Sequence, residues 1–199
     1  MKRMFLSVCL LALASTALAD GRSADLLRRL QTMVEGMAGY RVDFAVEAEG
    51  RTFAGHYLVR GASYYMALGD AEVYCDGKVR YEVDPSKREV VVDVVDPTSR
   101  NILNNPTRAF SLLDGSFTHE TLSESGGRAT LRLTPVSRTA AISRLSLELD
   151  TQTLHPGKLV YDADGETVTI LIRSFRADTS PLKLFDTQNY PSYEVIDFR

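Results

Sequence analysis

The sequence predicts a mainly β, α+β domain, with one large antiparallel sheet that curls toward a barrel or half-barrel beneath an N-terminal helix and a short middle helix. Three observations predict it. One stripe of apolar residues at helical spacing ends at Met37. The period changes to two at Tyr40 and stays there through most of the chain. Turn dipeptides, not long helical stretches, join the period-two segments. There is no alternation of strands with helices and no repeat of 20–50 residues, so one domain is expected over residues 20–199.

The helix is expected over residues 23–37. Leu26, Leu27, Leu30, Met33, Val34 and Met37 form its apolar stripe, Arg28, Arg29, Gln31 and Glu35 its polar side, Ser23 its cap and Gly39 its stop. Tyr40, Val42, Phe44, Val46 and Ala48 then alternate with Arg41, Asp43 and Glu47. Glu49-Gly50 turns the chain into Phe53, Tyr57 and Val59, and further strands are expected over 63–68 and 71–75. Asp76-Gly77 reads as a type I′ hairpin turn, which needs positive φ at both central residues. Val79, Tyr81 and Val83 follow, then a strand over 89–96. Pro106 opens a short helical stretch with Phe110, Leu112 and Leu113 toward the core, and Gly115 ends it. Strands resume over 117–122, 129–133, 142–149, 158–161 and 167–175, the last pair around Asp164-Gly165, and a final strand is expected over 193–198.

The N-terminus has the anatomy of a secretory leader: Lys2 and Arg3, an apolar run over residues 4–13, and Ala17-Leu18-Ala19 as a small-x-small cleavage site. The run is shorter than the roughly 20 residues a membrane span needs. Cleavage after Ala19 would remove Cys9, leaving Cys75 as the one mature thiol and no internal disulfide. It would also remove Lys2 and Arg3, shifting the formal charge from −3 to −5. A mildly acidic chain with no basic block is a poor partner for nucleic acid or an anionic membrane surface.

A sheet with one polar and one apolar face must cover the apolar one. Only two short helices offer themselves. A sheet of about ten strands curls and can leave an interior wide enough for an apolar ligand. Alternating apolar residues are nevertheless more often plain core than cavity lining, so periodicity alone does not supply a function.

The run Cys75-Asp76-Gly77-Lys78-Val79-Arg80-Tyr81-Glu82-Val83-Asp84-Pro85 resembles the central hairpin of LolA-type outer-membrane lipoprotein carriers: a small residue, Asp-Gly-Lys, two variable positions, an aromatic, and Asn or Asp before Pro. Glu89-Val90-Val91-Val92 resembles the family's next strand. Asn105-Pro106 before Phe110-Ser111-Leu112-Leu113 resembles its middle helix. The Leu26-x3-Leu30 helix leading to Tyr40-x3-Phe44, and residues 145–175, also fit. The resemblance implies an incomplete β-barrel closed by helices over an apolar cavity. It also implies a periplasmic carrier without cofactor or metal, expected as a monomer. Such a carrier would take acylated lipoproteins from an inner-membrane lipoprotein-releasing ABC transporter to an outer-membrane acceptor or to the membrane itself. On that frame Phe44, Val46, Tyr57, Val59, Tyr65, Leu131, Leu147 and Ile170 would line the sheet side of the cavity. Leu27, Leu30, Phe110 and Leu113 would form the lid. A one-residue slip would invert the lining. Two departures stand out: the family's Arg-Pro pair after the second strand is here Arg60-Gly61, and Tyr81 stands where Trp is frequent. Arg60 is therefore either a lid latch or a solvated strand-end residue.

Enzyme chemistry has little support. His56, His119, His155 and Cys75 are scattered, and no phosphate loop, metal-ligand spacing or nucleophile elbow occurs. An envelope-stress sensor or regulatory lipid-binding protein on the same fold, or a carrier of another lipid, remains the alternative.

Overall fold

The computed structural model describes residues 16–48, 50–97, 99, 103–137, 142–163 and 166–199. Residues 4–13 of the expected leader, Glu49 of the first turn and the Asp164-Gly165 turn lie outside them. The helix α1 (Thr16–Glu35) precedes β1 (Tyr40–Ala48), β2 (Arg51–Arg60), β3 (Ser63–Leu68), β4 (Ala71–Cys75), β5 (Val79–Asp84) and β6 (Glu89–Val94). After the middle segment come β7 (Phe117–Ser125), β8 (Arg128–Pro135), β9 (Ile142–Asp150), β10 (Pro156–Ala163), β11 (Glu166–Ala177) and β12 (Glu194–Asp197). Every segment read as period-two is a strand.

The strands form one sheet in the order β12-β6-β5-β4-β3-β2-β1-β11-β10-β9-β8-β7. Two hairpin meanders, β1–β6 and β7–β11, meet at the antiparallel pair β1–β11, which places Tyr40 opposite Ala177 and Val46 opposite Ile170. β7 and β12 are the two edges and do not pair with each other, so the sheet is an open half-barrel. β12 lies parallel to β6.

Local chemistry corrects several expectations. Residues Thr16–Glu35 are helical, so the helix does not start at Ser23. Ser23 is not a cap. It is buried, and its hydroxyl lies 2.9 Å from Nδ1 of His119 on β7. The helix also ends earlier than Gly39, with Gly36 and Met37 donating to the carbonyls of Thr32 and Val34. Gly39 serves a different need. A Cβ there would sit 2.5 Å from the carbonyl oxygen of Asp178, whose own N–H donates to Gly39 at 3.0 Å. The Asp76-Gly77 turn is found, but it is not type I′, since only Gly77 has positive φ. Asp76 Oδ1 accepts from the N–H groups of Lys78 and Val79, both at 2.8 Å, so the carboxylate closes the turn. The middle helix is a single 3₁₀ turn, Pro106–Arg108. A stretch this short does not sustain a helix by itself, and side chains from the sheet hold its carbonyls, as described below.

The largest correction concerns the faces. From β1 to β4 and from β7 to β11 most of the buried apolar side chains point into the concavity. At β5 the phase reverses. Arg80 pairs with Cys75 and Glu82 with Val73, so the charged residues of β5 share the concave side. Val79, Tyr81 and Val83, with Val90 and Val92 of β6 and Tyr65 and Tyr74, point outward and form a second core. The C-terminal segment covers it. Phe185 stacks on Tyr81, with ring centroids 4.2 Å apart and planes 8° apart, and Tyr190 and Tyr193 continue the aromatic layer.

Glu72 anchors this outer cover. Its carboxylate accepts from the Tyr65 hydroxyl at 2.5 Å and from Lys183 Nζ at 2.5 Å, and the Tyr74 and Tyr190 hydroxyls lie 2.8 and 2.9 Å from its other oxygen. Burial opposes ionisation here, but the donors from Lys183, Tyr65, Tyr74 and Tyr190 outweigh it and bring the carboxyl down to about 2. Beyond that hub, Arg88 donates to the Ser192 hydroxyl, and β12 extends the sheet.

Candidate functional site

The concave face is floored by Val42, Phe44, Val46, Tyr57, Val59 and Tyr64 on one meander and by Leu131, Leu145, Leu147, Leu159 and Ile170 on the other. Gly55 leaves room for the Phe44 ring, since a Cβ there would sit 2.8 Å from two of its atoms. Over this floor lie α1, through Leu26, Leu27 and Leu30, and the middle segment, through Ala109, Phe110 and Leu112, with Leu113 half-buried against them. Leu30, Tyr57, Leu131, Leu147 and Ile170 have no exposed surface, so floor and cover pack directly on each other. Each large side chain buried this way is worth about 1.5–3 kcal/mol.

Seven of the eight expected lining residues share this floor. Tyr65 does not. It lies on the outer face, its ring 5.3 Å from that of Tyr74. The run Tyr64-Tyr65-Met66-Ala67-Leu68 is apolar throughout, so its phase is not fixed by the sequence, and it is Tyr64 and Met66 that point inward. Arg60 is exposed at the end of β2. It follows the inward-facing Val59, and alternation turns it outward, where Nη1 donates to the Ser180 carbonyl at 3.4 Å. In this structure its hydrogen bond therefore runs to the C-terminal segment, not to either covering element.

The cover is fastened by polar contacts that sequence reading missed. The Tyr40 hydroxyl donates to the Pro106 carbonyl and the Tyr64 hydroxyl to the Asn104 carbonyl, both at 3.0 Å. Asn105 between them is buried, and its Nδ2 donates to the Asp96 carbonyl at 3.1 Å. The helix is tied to the β7 edge by Ser23 with His119 and by Arg22 with Glu124 at 2.6 Å. The inward phase of Tyr40 is legible in the alternation. Its acceptor belongs to a segment 66 residues away and is not.

Tyr57 stands between these two tyrosines on the neighbouring strand, one register row deeper: Val59 pairs with Tyr40 and Tyr64, while Tyr57 pairs with Val42 and Met66. Its hydroxyl is wholly buried and has no hydrogen-bond partner among the described residues. Such an orphan costs about 1–3 kcal/mol. Burial pushes the phenol well above its ordinary range, with Tyr40 and Tyr161 adding to the effect. A cleft of about 190 Å³ opens one register row away, between the end of α1 (Val34, Met37), the strand ends (Tyr40, Val59) and the middle segment (Thr107, Phe110). The site has apolar bulk, the phenols of Tyr40, Tyr57 and Tyr64 and, toward β5, the Arg80–Glu82 pair at 2.7 Å. Among the described residues no cluster of three His, Cys, Asp or Glu side chains is placed to hold a metal.

No protein-family model matches the chain, and no curated protein sequence does. Solved structures do. An uncharacterised conserved protein from Thermus thermophilus superposes with a TM-score of 0.54 at 8% identity, covering 87% of this chain and 98% of that one. The two share a fold. A LolA superfamily protein is also among the structural neighbours. It comes from Nitrosomonas europaea, with a TM-score of 0.43, 10% identity, and coverage of 80% of this chain and 94% of that one. MucB, in the structure of the Pseudomonas aeruginosa MucA/MucB complex, matches with a TM-score of 0.42 at 19% identity, over 80% of this chain and 58% of that one. At these identities the likeness is one of fold.

Proposed function

We propose that this protein is a periplasmic carrier that takes up lipoprotein acyl chains beneath its cover and moves them from the inner to the outer membrane. The observation that carries this reading is an apolar concave face closed by two separate elements, α1 and the 104–113 segment, each fastened to the sheet by a few hydrogen bonds. A hydrocarbon chain gains about 0.8 kcal/mol for each methylene removed from water. It can replace the contacts that Leu27, Leu30, Phe110 and Leu113 make with the floor when the cover lifts. The exchange is nearly balanced, because apolar packing replaces apolar packing, and this is what a carrier that must also release its load requires. The leader read at residues 1–19 would deliver the chain to the periplasm. An inner-membrane lipoprotein-releasing ABC transporter would load it, an outer-membrane acceptor would unload it, and it would act as a monomer.

Leu30→Glu tests the reading, because it sets a charge among the apolar contacts of the cover that uptake exchanges for hydrocarbon. Exported protein purified gently from a lipoprotein-producing periplasm is expected to carry triacylated lipoprotein in native mass spectra, and the folded variant is expected to lose it. Free phospholipid or glycolipid in place of lipoprotein would change the cargo. An apo mass with no uptake of an apolar dye would sink the carrier reading.

A further inference from the structure

Three phenols from adjacent strands converge under the middle segment. Two of them, Tyr40 and Tyr64, donate to backbone carbonyl oxygens of that segment. The third, Tyr57, is as deeply buried as any residue of the floor and donates to nothing among the described residues. Its ring is fully used, lying 6.1 Å from that of Tyr40 and 5.7 Å from that of Phe44, centroid to centroid. A phenylalanine would make the same ring contacts without a stranded hydroxyl. The hydroxyl therefore has no role in the closed state, and the cleft opens at Tyr40 and Val59, one register row from Tyr57.

We propose that Tyr57 donates a hydrogen bond to the carbonyl oxygen of an ester- or amide-linked acyl chain, and so selects acylated ligands over plain hydrocarbon. The proposal rests on the reading of the concave face as an acyl site. When the middle segment lifts, Tyr40 and Tyr64 lose carbonyl acceptors from the chain's own backbone. A ligand that brings carbonyls restores acceptors to the same row of phenols and satisfies Tyr57 for the first time. The linkage lies at the head end of an acyl chain, so this donor also orients the ligand, tails toward the Leu131, Leu147 and Ile170 end of the floor and head toward the cleft. Ester carbonyls occur in both lipoproteins and phospholipids, and the chemistry is common to the two.

The test compares matched probes: a synthetic triacylated cysteinyl peptide and a diacyl phosphatidylglycerol, each against its ether-linked counterpart, by displacement of an apolar fluorescent dye. The wild-type protein is expected to bind the ester form of at least one pair more tightly, on the order of fivefold, the worth of one hydrogen bond. Tyr57→Phe is expected to abolish that preference, leave ether-linked binding intact and raise the melting temperature of the empty protein. A preference in either pair supports the assignment, and the tighter pair names the source. A Tyr57→Phe variant that keeps the ester preference overturns it, as does a wild-type protein that binds ester and ether alike. If the wild type binds none of the four probes, the acyl-carrier reading itself falls.

Discussion

The two apolar surfaces of this sheet are covered in different ways. The outer one, over β3–β6, is closed by a single continuous segment that contributes Lys183 and Tyr190 to an ionised carboxylate, stacks Phe185 on Tyr81 and ends as a strand of the same sheet. The concave one is closed by two elements from distant parts of the chain, joined to the sheet by phenol-to-carbonyl bonds and rim contacts. Charge-assisted hydrogen bonds are roughly twice as strong as neutral ones, and a strand pair forms cooperatively with its neighbours. The outer cover is thus held mainly by charge-assisted hydrogen bonds and strand pairing, and the concave cover mainly by apolar packing, the kind of contact that hydrocarbon can replace.

The comparison breaks first at Glu72. Glu72→Ala removes the acceptor shared by three phenols and an ammonium, and is expected to cost about 3 kcal/mol in chemical denaturation, with faster amide exchange across residues 183–193. Loss of exchange protection at 104–110 instead would show that the two covers are coupled. Acid should sharpen the contrast. The Glu72 carboxyl sits at about 2 against an ordinary 4.5. Its stabilising effect is therefore complete above pH 4.5 and is lost as pH falls from there through about 2. The phenols of Tyr40 and Tyr64 are neutral throughout that window, since burial raises both. The outer cover is then expected to loosen in acid before the 104–113 segment, by exchange at the two segments, while α1 also loses its Arg22–Glu124 contact as that carboxylate is protonated. The smallest effect is expected from the concave fastening: Tyr40→Phe and Tyr64→Phe should each cost about 1 kcal/mol. Together they should speed uptake of an apolar dye while leaving the outer segment's protection unchanged.

The sequence made one half of this contrast legible. Alternation is strict over Val79–Asp84, from Tyr40 to Phe44 and from Leu145 to Asp150, and these strands could be placed from it. Which side of the sheet an alternating strand presents is a different question, answered by what covers it. Lys78, Arg80 and Glu82 alternate cleanly with Val79, Tyr81 and Val83, yet nothing local says that this apolar set faces out. The signal lay in residues 181–193, where Leu182, Leu184, Phe185, Tyr190 and Tyr193 are too apolar for an idle tail but follow neither period. Tyr65 was misplaced for a related reason, since β3 has no polar phase. The floor and cover of the candidate site were readable because they are apolar and periodic. Its hydroxyls were not, because a hydrogen-bond partner depends on tertiary approach and leaves no mark on the spacing.

The order of strands has a kinetic consequence. Each meander is built from hairpins whose partners are close in the chain, and either can form as soon as it is available. The two halves join only where β1 meets β11, in a pairing that sets Tyr40 against Ala177. Loop-closure entropy opposes that seam until nearly the whole chain is present. The β1–β11 seam is therefore expected to be the slow step of folding, checked by whether its amides gain exchange protection last. Those two strands, at the centre of the folded sheet, are where a nascent chain is most exposed to pairing with the wrong neighbour.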